Sequence, residues 1–307
     1  MLGRIVEIAQ DGRRLSVDRG FLVIRDHEQE LGRIPLDDIA AVIGNAHGLG
    51  YTKNVLVALA ERKVPLVVSG ANHSPVAFLW PLEGHHEQAG RMDSQLDASL
   101  PLKKRLWSQL VKAKLQQQAA VLEACGESPA LITALIPKVR IGDPDNIEAQ
   151  AARRYWSRVM GEGFTRNQEG DGINALLNYA YTILRSATAR AVLAAGLHPS
   201  LGLFHRSRQN GMRLVDDLME PYRPVMDWRV RELHRAGAST VNPEAKRQLA
   251  HTLYLDMDSE AGRTPLMVCV QRLAVSLAQV FAGERDKLDF ALPLRPLLFT
   301  ESGSSAF

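Results

Sequence analysis

The sequence predicts an α+β protein: a small amino-terminal β-sandwich-like domain over 1–82, a linker over 83–98, a larger all-α domain over 99–300 and a flexible tail over 301–307. Three observations lead there. Short runs of branched residues with turn signals between them are confined to the first eighty positions. The composition then changes through Glu83-Gly84-His85-His86-Glu87-Gln88-Ala89-Gly90-Arg91. From Pro101 onward, apolar residues recur at helical spacing almost to the end.

In chain order, Arg4 to Ile8, Arg14 to Val17 and Phe21 to Ile24 read as strands, with Asp18-Arg19-Gly20 as a hairpin turn. Ile39 to Ile43, Val64 to Val68 and Pro75 to Trp80 continue the pattern around one helix from Lys53 to Arg62. In the helical part, Asp143-Pro144-Asp145-Asn146 signals a helix start. Ile173, Leu176, Leu177, Ala180, Leu184, Ala187 and Ala191 form a three-and-four stripe ended by Gly196 and Pro199. Asn242-Pro243 and Thr264-Pro265 each pair a capping residue with proline in the first turn. The terminal Ser302-Gly303-Ser304-Ser305 reads as disordered.

Composition narrows the function classes. A chain of 307 residues with 46% hydrophobic residues can bury two modest cores. No apolar run approaches the ~18 residues that a membrane helix needs. The start, Met1-Leu2-Gly3-Arg4-Ile5, lacks a signal-peptide pattern, so a cytoplasmic protein without membrane contact is expected. Cys125 and Cys269 are far apart and form no CxxC or Cys/His set, which argues against a disulfide framework or a zinc site; both are expected to be buried.

Three fragments carry the chemistry: Glu148 near a helix start, His205 shortly after Gly202 near another helix start, and the acidic cluster Asp216-Asp217-Leu218-Met219-Glu220. Ala152, Tyr155 and Val159 lie four, seven and eleven positions beyond Glu148, which puts its carboxylate on the apolar stripe. Asp217 and Glu220, or Asp216 and Glu220, share a helix face. Two carboxylates ~4 Å apart repel by ~4 kcal/mol at an effective dielectric near 20. A shared proton, an arginine or a metal ion would offset that, and the histidine favours a metal. Carboxylates with one imidazole suit magnesium or manganese. The alternative is ordinary: a glutamate at the edge of an amphipathic face, and acids at a solvated helix terminus.

The stretch Asn174 to Arg185, then Gly196-Leu197-His198-Pro199, then His205, then Asp217-Leu218-Met219-Glu220-Pro221-Tyr222-Arg223-Pro224, resembles the CRISPR-associated endonuclease and integrase family Cas1. So do Ile39 to Ile43, Leu56 to Glu61 with Val64 to Val68, and Gly84 to Gln88 with Arg91, so that the likeness runs from residue 1 to about 290. Within the family it is similar to the compact form that accompanies single-effector, type II systems. The resemblance implies Glu148, His205 and Glu220 as catalytic metal ligands for Mg2+ or Mn2+, with Asp217 and Asn178 behind them. It also implies insertion of short foreign DNA into a CRISPR repeat array by 3′-hydroxyl attack on a phosphodiester. The implied assembly is a homodimer paired with the small protein Cas2 on double-stranded prespacer and repeat DNA.

A net charge of +3 makes distribution matter more than total. Between Asp97 and Glu123 there is no acid, yet Lys103, Lys104, Arg105, Lys112 and Lys114 fall there with Trp107 among them, and Arg206, Arg208 and Arg213 surround His205. Such segments suit a phosphate backbone, and His85, Arg91, Lys103, Lys104, Arg206, Arg208 and Arg223 are candidate DNA contacts. For any single lysine a solvated helix face is the simpler reading. Two other functions fit the same residues: a structure-specific metal-dependent DNA nuclease, and a non-catalytic DNA-binding scaffold subunit.

Overall fold

The computed structural model describes residues 4–70, 75–79, 81–82, 84–259, 262–290 and 295–296. Trp80 and the tail therefore lie outside the described residues. The amino-terminal part contains β1 (Arg4–Ile8), β2 (Arg13–Asp18), β3 (Phe21–Asp26), β4 (Gln29–Pro35), β5 (Ile39–Gly44), β6 (Gly50–Tyr51), α1 (Lys53–Glu61), β7 (Leu66–Ser69) and β8 (Pro75–Leu79). They form two four-stranded sheets, β1-β5-β7-β8 and β4-β3-β2-β6. Asp18 pairs with Phe21, so Arg19 and Gly20 are the two turn residues. Both have positive φ, the conformation that a tight hairpin matching the strand twist requires. Strand β4 escaped the sequence reading because it is an edge strand with mostly exposed, polar residues, so no alternation of apolar residues marks it. Strand β5 is buried along its whole length, with parallel partners β1 and β7 on either side. It contributes Ile39 and Val42 to the amino-terminal core and Ala40 to the larger helical core.

The rest is mostly helical: α2 (Gln88–Asp97), α3 (Leu100–Ala124), α4 (Ala130–Thr133), α5 (Ile147–Val159), α6 (Ile173–Ala194), α7 (Arg213–Met219), α8 (Arg223–Arg235), α9 (Pro243–His251), β9 (Asp256–Ser259), β10 (Gly262–Pro265), α10 (Leu266–Phe281) and β11 (Arg295–Pro296). Two features differ from the expectation. The segment expected to be a linker holds helix α2, whose polar sequence hides its one fully buried anchor, Gln95. And the helical part contains a small antiparallel sheet, β10-β9-β11, so Thr264 lies in a strand and α10 starts one residue past Pro265. The Asn242 cap is present, its side chain accepting from Ala245 N at 2.8 Å. Two long helices organise the core. α3 packs on α4, α5, α8 and the turn Glu220–Tyr222, and α6 packs on α7, α8 and α10. No described helix is long and apolar enough to cross a membrane. Cys269 is buried, whereas Cys125 is only partly so because it caps the end of α3.

Candidate active site

Glu148 is positioned by its own helix start. The Asp143 carboxylate accepts from Ile147 N at 2.9 Å and Glu148 N at 3.0 Å, and the Asn146 side chain accepts from Ala149 N. Two caps on one helix end, each contributing about 1 kcal/mol, fix the direction in which α5 leaves the turn. The buried face of α5 runs through Ile147, Ala151, Tyr155 and Val159. Glu148 lies one step from that stripe, half-buried rather than at its centre. Its side chain turns toward α3.

There it meets Lys114, which the sequence grouped with a basic surface. Lys114 is buried, and its Nζ donates to Glu148 Oε1 and, at 2.5 Å, to Glu220 Oε2. Glu220 stands at the end of α7, at most one-tenth exposed, and its other oxygen faces Arg223 Nε at 3.0 Å. That second contact is an ion pair without hydrogen-bond alignment. Burial by itself would raise the Glu220 pKa, but Arg223 and Lys114 outweigh it and bring the carboxyl down to about 2. Burial would likewise discharge Lys114, yet Glu220 and Glu148 hold its pKa above the usual lysine value. Two acids from separate helices thus converge on one buried ammonium.

His205 lies in an irregular stretch eight residues before α7, not at a helix start. Asp217, fully buried, holds that stretch from below: its carboxylate accepts from Leu203 N at 2.6 Å, Phe204 N at 3.2 Å, His205 N at 3.3 Å and pairs with His205 Nδ1 at 2.7 Å. A Cβ at Gly202 would stand 2.9 Å from Asp217 Oδ2 and 2.9 Å from Arg213 Cβ, so only glycine allows this approach. With Nδ1 donating to Asp217, Nε2 is left as the outward lone-pair donor. The Asp217 hydrogen bond raises the His205 pKa against burial, and the Glu220 charge adds to it. Helix α2 steadies the approach to this stretch, since Gln95 donates to the carbonyls of His198 and Leu201 and accepts from His198 N.

The three acids of the cluster therefore do three different things. Asp216 is held bidentately by Arg185 at 2.7 and 2.9 Å, Asp217 clamps the His205 stretch, and Glu220 meets Lys114. Glu148, His205 and Glu220 do not close into a single donor cluster. Among the described residues, the three such donors lying within 4.8 Å of one another are His85, His86 and Glu87, two of them exposed. The remaining candidates are dispersed. Asn178 binds Arg166 and the Gln168 carbonyl and so holds the loop before α6 rather than touching a carboxylate. Arg91 donates to the Ala195 carbonyl at the end of α6, and His85 Nδ1 accepts from Glu87 N. Arg223 faces Glu220 and lies over the Tyr181 ring at 4.7 Å, so its charge is engaged inside the protein. Lys103 is half-buried; Lys104, Arg206 and Arg208 are exposed.

A model of the CRISPR-associated protein Cas1 matches residues 6–259. A CRISPR-associated endonuclease Cas1 of Neisseria meningitidis is 36% identical over 295 residues, 95% of either chain. The chain belongs to the Cas1 family. Two solved structures share its fold. A casposase bound to integration product matches with a TM-score of 0.82 at 19% identity, over 98% of this chain and 96% of that one. A Cas6-RT-Cas1–Cas2 complex matches with a TM-score of 0.73 at 19% identity, over 92% of this chain and 35% of that one. Within the Cas1 fold, the residue that sequence reasoning missed is Lys114. Its signal was present: Trp107, Leu110, Val111, Leu115 and Val121 mark the buried face of α3, and a lysine at that spacing is a charge placed in a core.

Proposed function

We infer that this chain is a Cas1 DNA endonuclease and integrase that joins short foreign DNA to a CRISPR repeat array, and that Glu148, His205 and Glu220 hold its divalent ion. The observation that carries the site assignment is the convergence of Glu148 and Glu220, from different helices, on one buried cationic centre beside an imidazole oriented by Asp217. The donor set fits a hard cation, two carboxylates and one neutral nitrogen being what magnesium or manganese accepts. For the three donors to share one ion, Lys114 Nζ must withdraw from between the acids.

A divalent ion in that place supplies charge stabilisation at the scissile phosphate and alignment of the attacking 3′-hydroxyl. Glu148 and Glu220 bring the negative charge that holds it, and Arg223 keeps Glu220 ionised. His205 offers Nε2 while Asp217 fixes the ring. In the joining step a bond forms between the incoming 3′-oxygen and phosphorus as the bond to the departing 3′-oxygen breaks. With water as nucleophile the same centre cuts.

The partners follow from the family: double-stranded prespacer and repeat DNA, a second copy of the chain, and the small Cas2 protein, all in the cytoplasm. Supporting this are the family match and the fold shared with an integration-product complex and a Cas1–Cas2 complex. The test is a joining assay on a repeat-bearing plasmid with Mg2+ or Mn2+. Glu148→Ala should abolish covalent joining and leave DNA binding in place. Unchanged joining would overturn the site, and cutting without joining would overturn the integrase reading.

A further inference from the structure

We propose that Phe204 is a stacking seat for one unpaired base of the DNA strand whose phosphate enters the carboxylate centre; the proposal rests on the reading of Glu148, His205 and Glu220 given above. Phe204 is 45% exposed and adjacent in the chain to His205. Its ring lies flat on the indole of Trp107, with centroids 4.2 Å apart and planes 2° from parallel. Trp107 is 2% exposed and set in the core of α3. Its backbone is fixed as well, since Phe204 N donates to the buried Asp217.

Single exposed aromatics are ordinary on protein surfaces. Phe204 differs because its conformational freedom is already gone: one face is covered by an immobile ring, and the ring is held edge-on to His205. A base laid on the open face extends an existing stack without ordering a side chain. Phenylalanine has no donor or acceptor, so the seat takes any base and reads none. The placement agrees with that use. Trp107 and Lys114 are seven residues apart on one side of α3, two turns or about 10 Å, a nucleotide-scale distance between a base and the phosphate centre. Arg206 and Arg208, exposed just after His205, lie in the chain where neighbouring phosphates would be met. A base inside a duplex has both faces occupied, so the seat selects a strand that is frayed, overhanging or splayed beside the reacting phosphate.

The test uses the full chain and DNA carrying 5-iododeoxyuridine, which on long-wavelength irradiation crosslinks to a stacked aromatic ring. One arm places the label next to the attacking 3′ end; a second places it beside the phosphate to be attacked. Mass spectrometry of the adduct should identify Phe204 in the second arm; an adduct at Phe204 in the first arm alone would overturn the assignment to the attacked strand. Phe204→Leu, apolar but not planar, should lose the crosslink and weaken binding of that strand by about 5- to 100-fold, whereas Phe204→Trp should retain both. Glu148→Ala should abolish joining and keep the crosslink, which separates this proposal from the catalytic one. No adduct at Phe204 in either arm, or wild-type affinity in Phe204→Leu, would overturn it.

Discussion

Among the described residues two glutamate–lysine centres are largely shielded from solvent, and they are built differently. At the contact between β1 and the helical part, Glu7 accepts from Lys246 Nζ at 2.8 Å, from Asn45 Nδ2 at 2.9 Å and from the Tyr179 hydroxyl. One acid there faces one cation and two neutral donors from three separate segments, so both its oxygens are engaged. At the other centre, two acids from separate helices share one buried ammonium, Arg223 facing the remaining oxygen of Glu220 while Glu148 has Lys114 as its charged partner. The first arrangement fixes two parts of the chain together. The second brings two carboxylates to a position held by a cation, as the proposed metal site requires. Both places pair glutamate with lysine, and what separates a structural ion pair from a candidate metal centre is that two carboxylates rather than one converge on the ammonium.

The largest expected effect tests that contrast directly. Glu220→Ala should reduce strand joining by at least about 100-fold, since the ion's charge stabilisation is worth several kcal/mol. Glu7→Gln should leave joining per folded molecule unchanged. Equal losses in the two variants, measured in the plasmid assay at matched folded fractions, would break the comparison. Next in size, Asp217→Asn should lower Mn2+ affinity or joining by about 10- to 100-fold, because it loosens the ring that presents Nε2. Isothermal titration with Mn2+ reads the first and the plasmid assay the second; wild-type values in both would mean that Asp217 only shapes the backbone.

Glu7→Gln sharpens the structural side. Removing one partner from a largely buried pair should cost about 2 kcal/mol of stability, less than for a fully buried pair because Lys246 retains some solvent contact. Urea unfolding followed by circular dichroism measures it, and an unchanged midpoint would make this contact dispensable. The smallest change in metal binding concerns Lys114. Lys114→Met removes the internal competitor for the acids, so the metal-free protein should melt lower while Mn2+ binds several-fold tighter. Weaker Mn2+ binding in that variant would show that the ammonium supports the ion from beside it rather than standing in its place.

The sequence was informative where one residue type has one use. Asn146 and Asn242 announced their helices because a capping side chain must sit at a fixed offset from the backbone it caps. Arg19-Gly20 announced its hairpin in the same way. It misled where a polar residue is buried by partners distant in the chain. Gln95 reads as linker until the carbonyls of His198 and Leu201, about a hundred residues away, are placed against it. Arg91 and Arg223, candidate DNA contacts in the sequence, have internal partners that only the fold reveals, the Ala195 carbonyl for one and Glu220 for the other.

The local order of strands and helices, and the presence of a mid-chain acid, an imidazole and a later acid on one long chain, follow from periodicity and capping alone, which depend on neighbours within a few residues. Which acid of the cluster faces Lys114, that this lysine is buried at all, and that Phe204 rather than Trp107 presents an open ring were decided only when α3, α5 and α7 packed together. The reason is physical: charge pairing and burial depend on distance through space, and α3 and α7 are separated by about a hundred residues of chain.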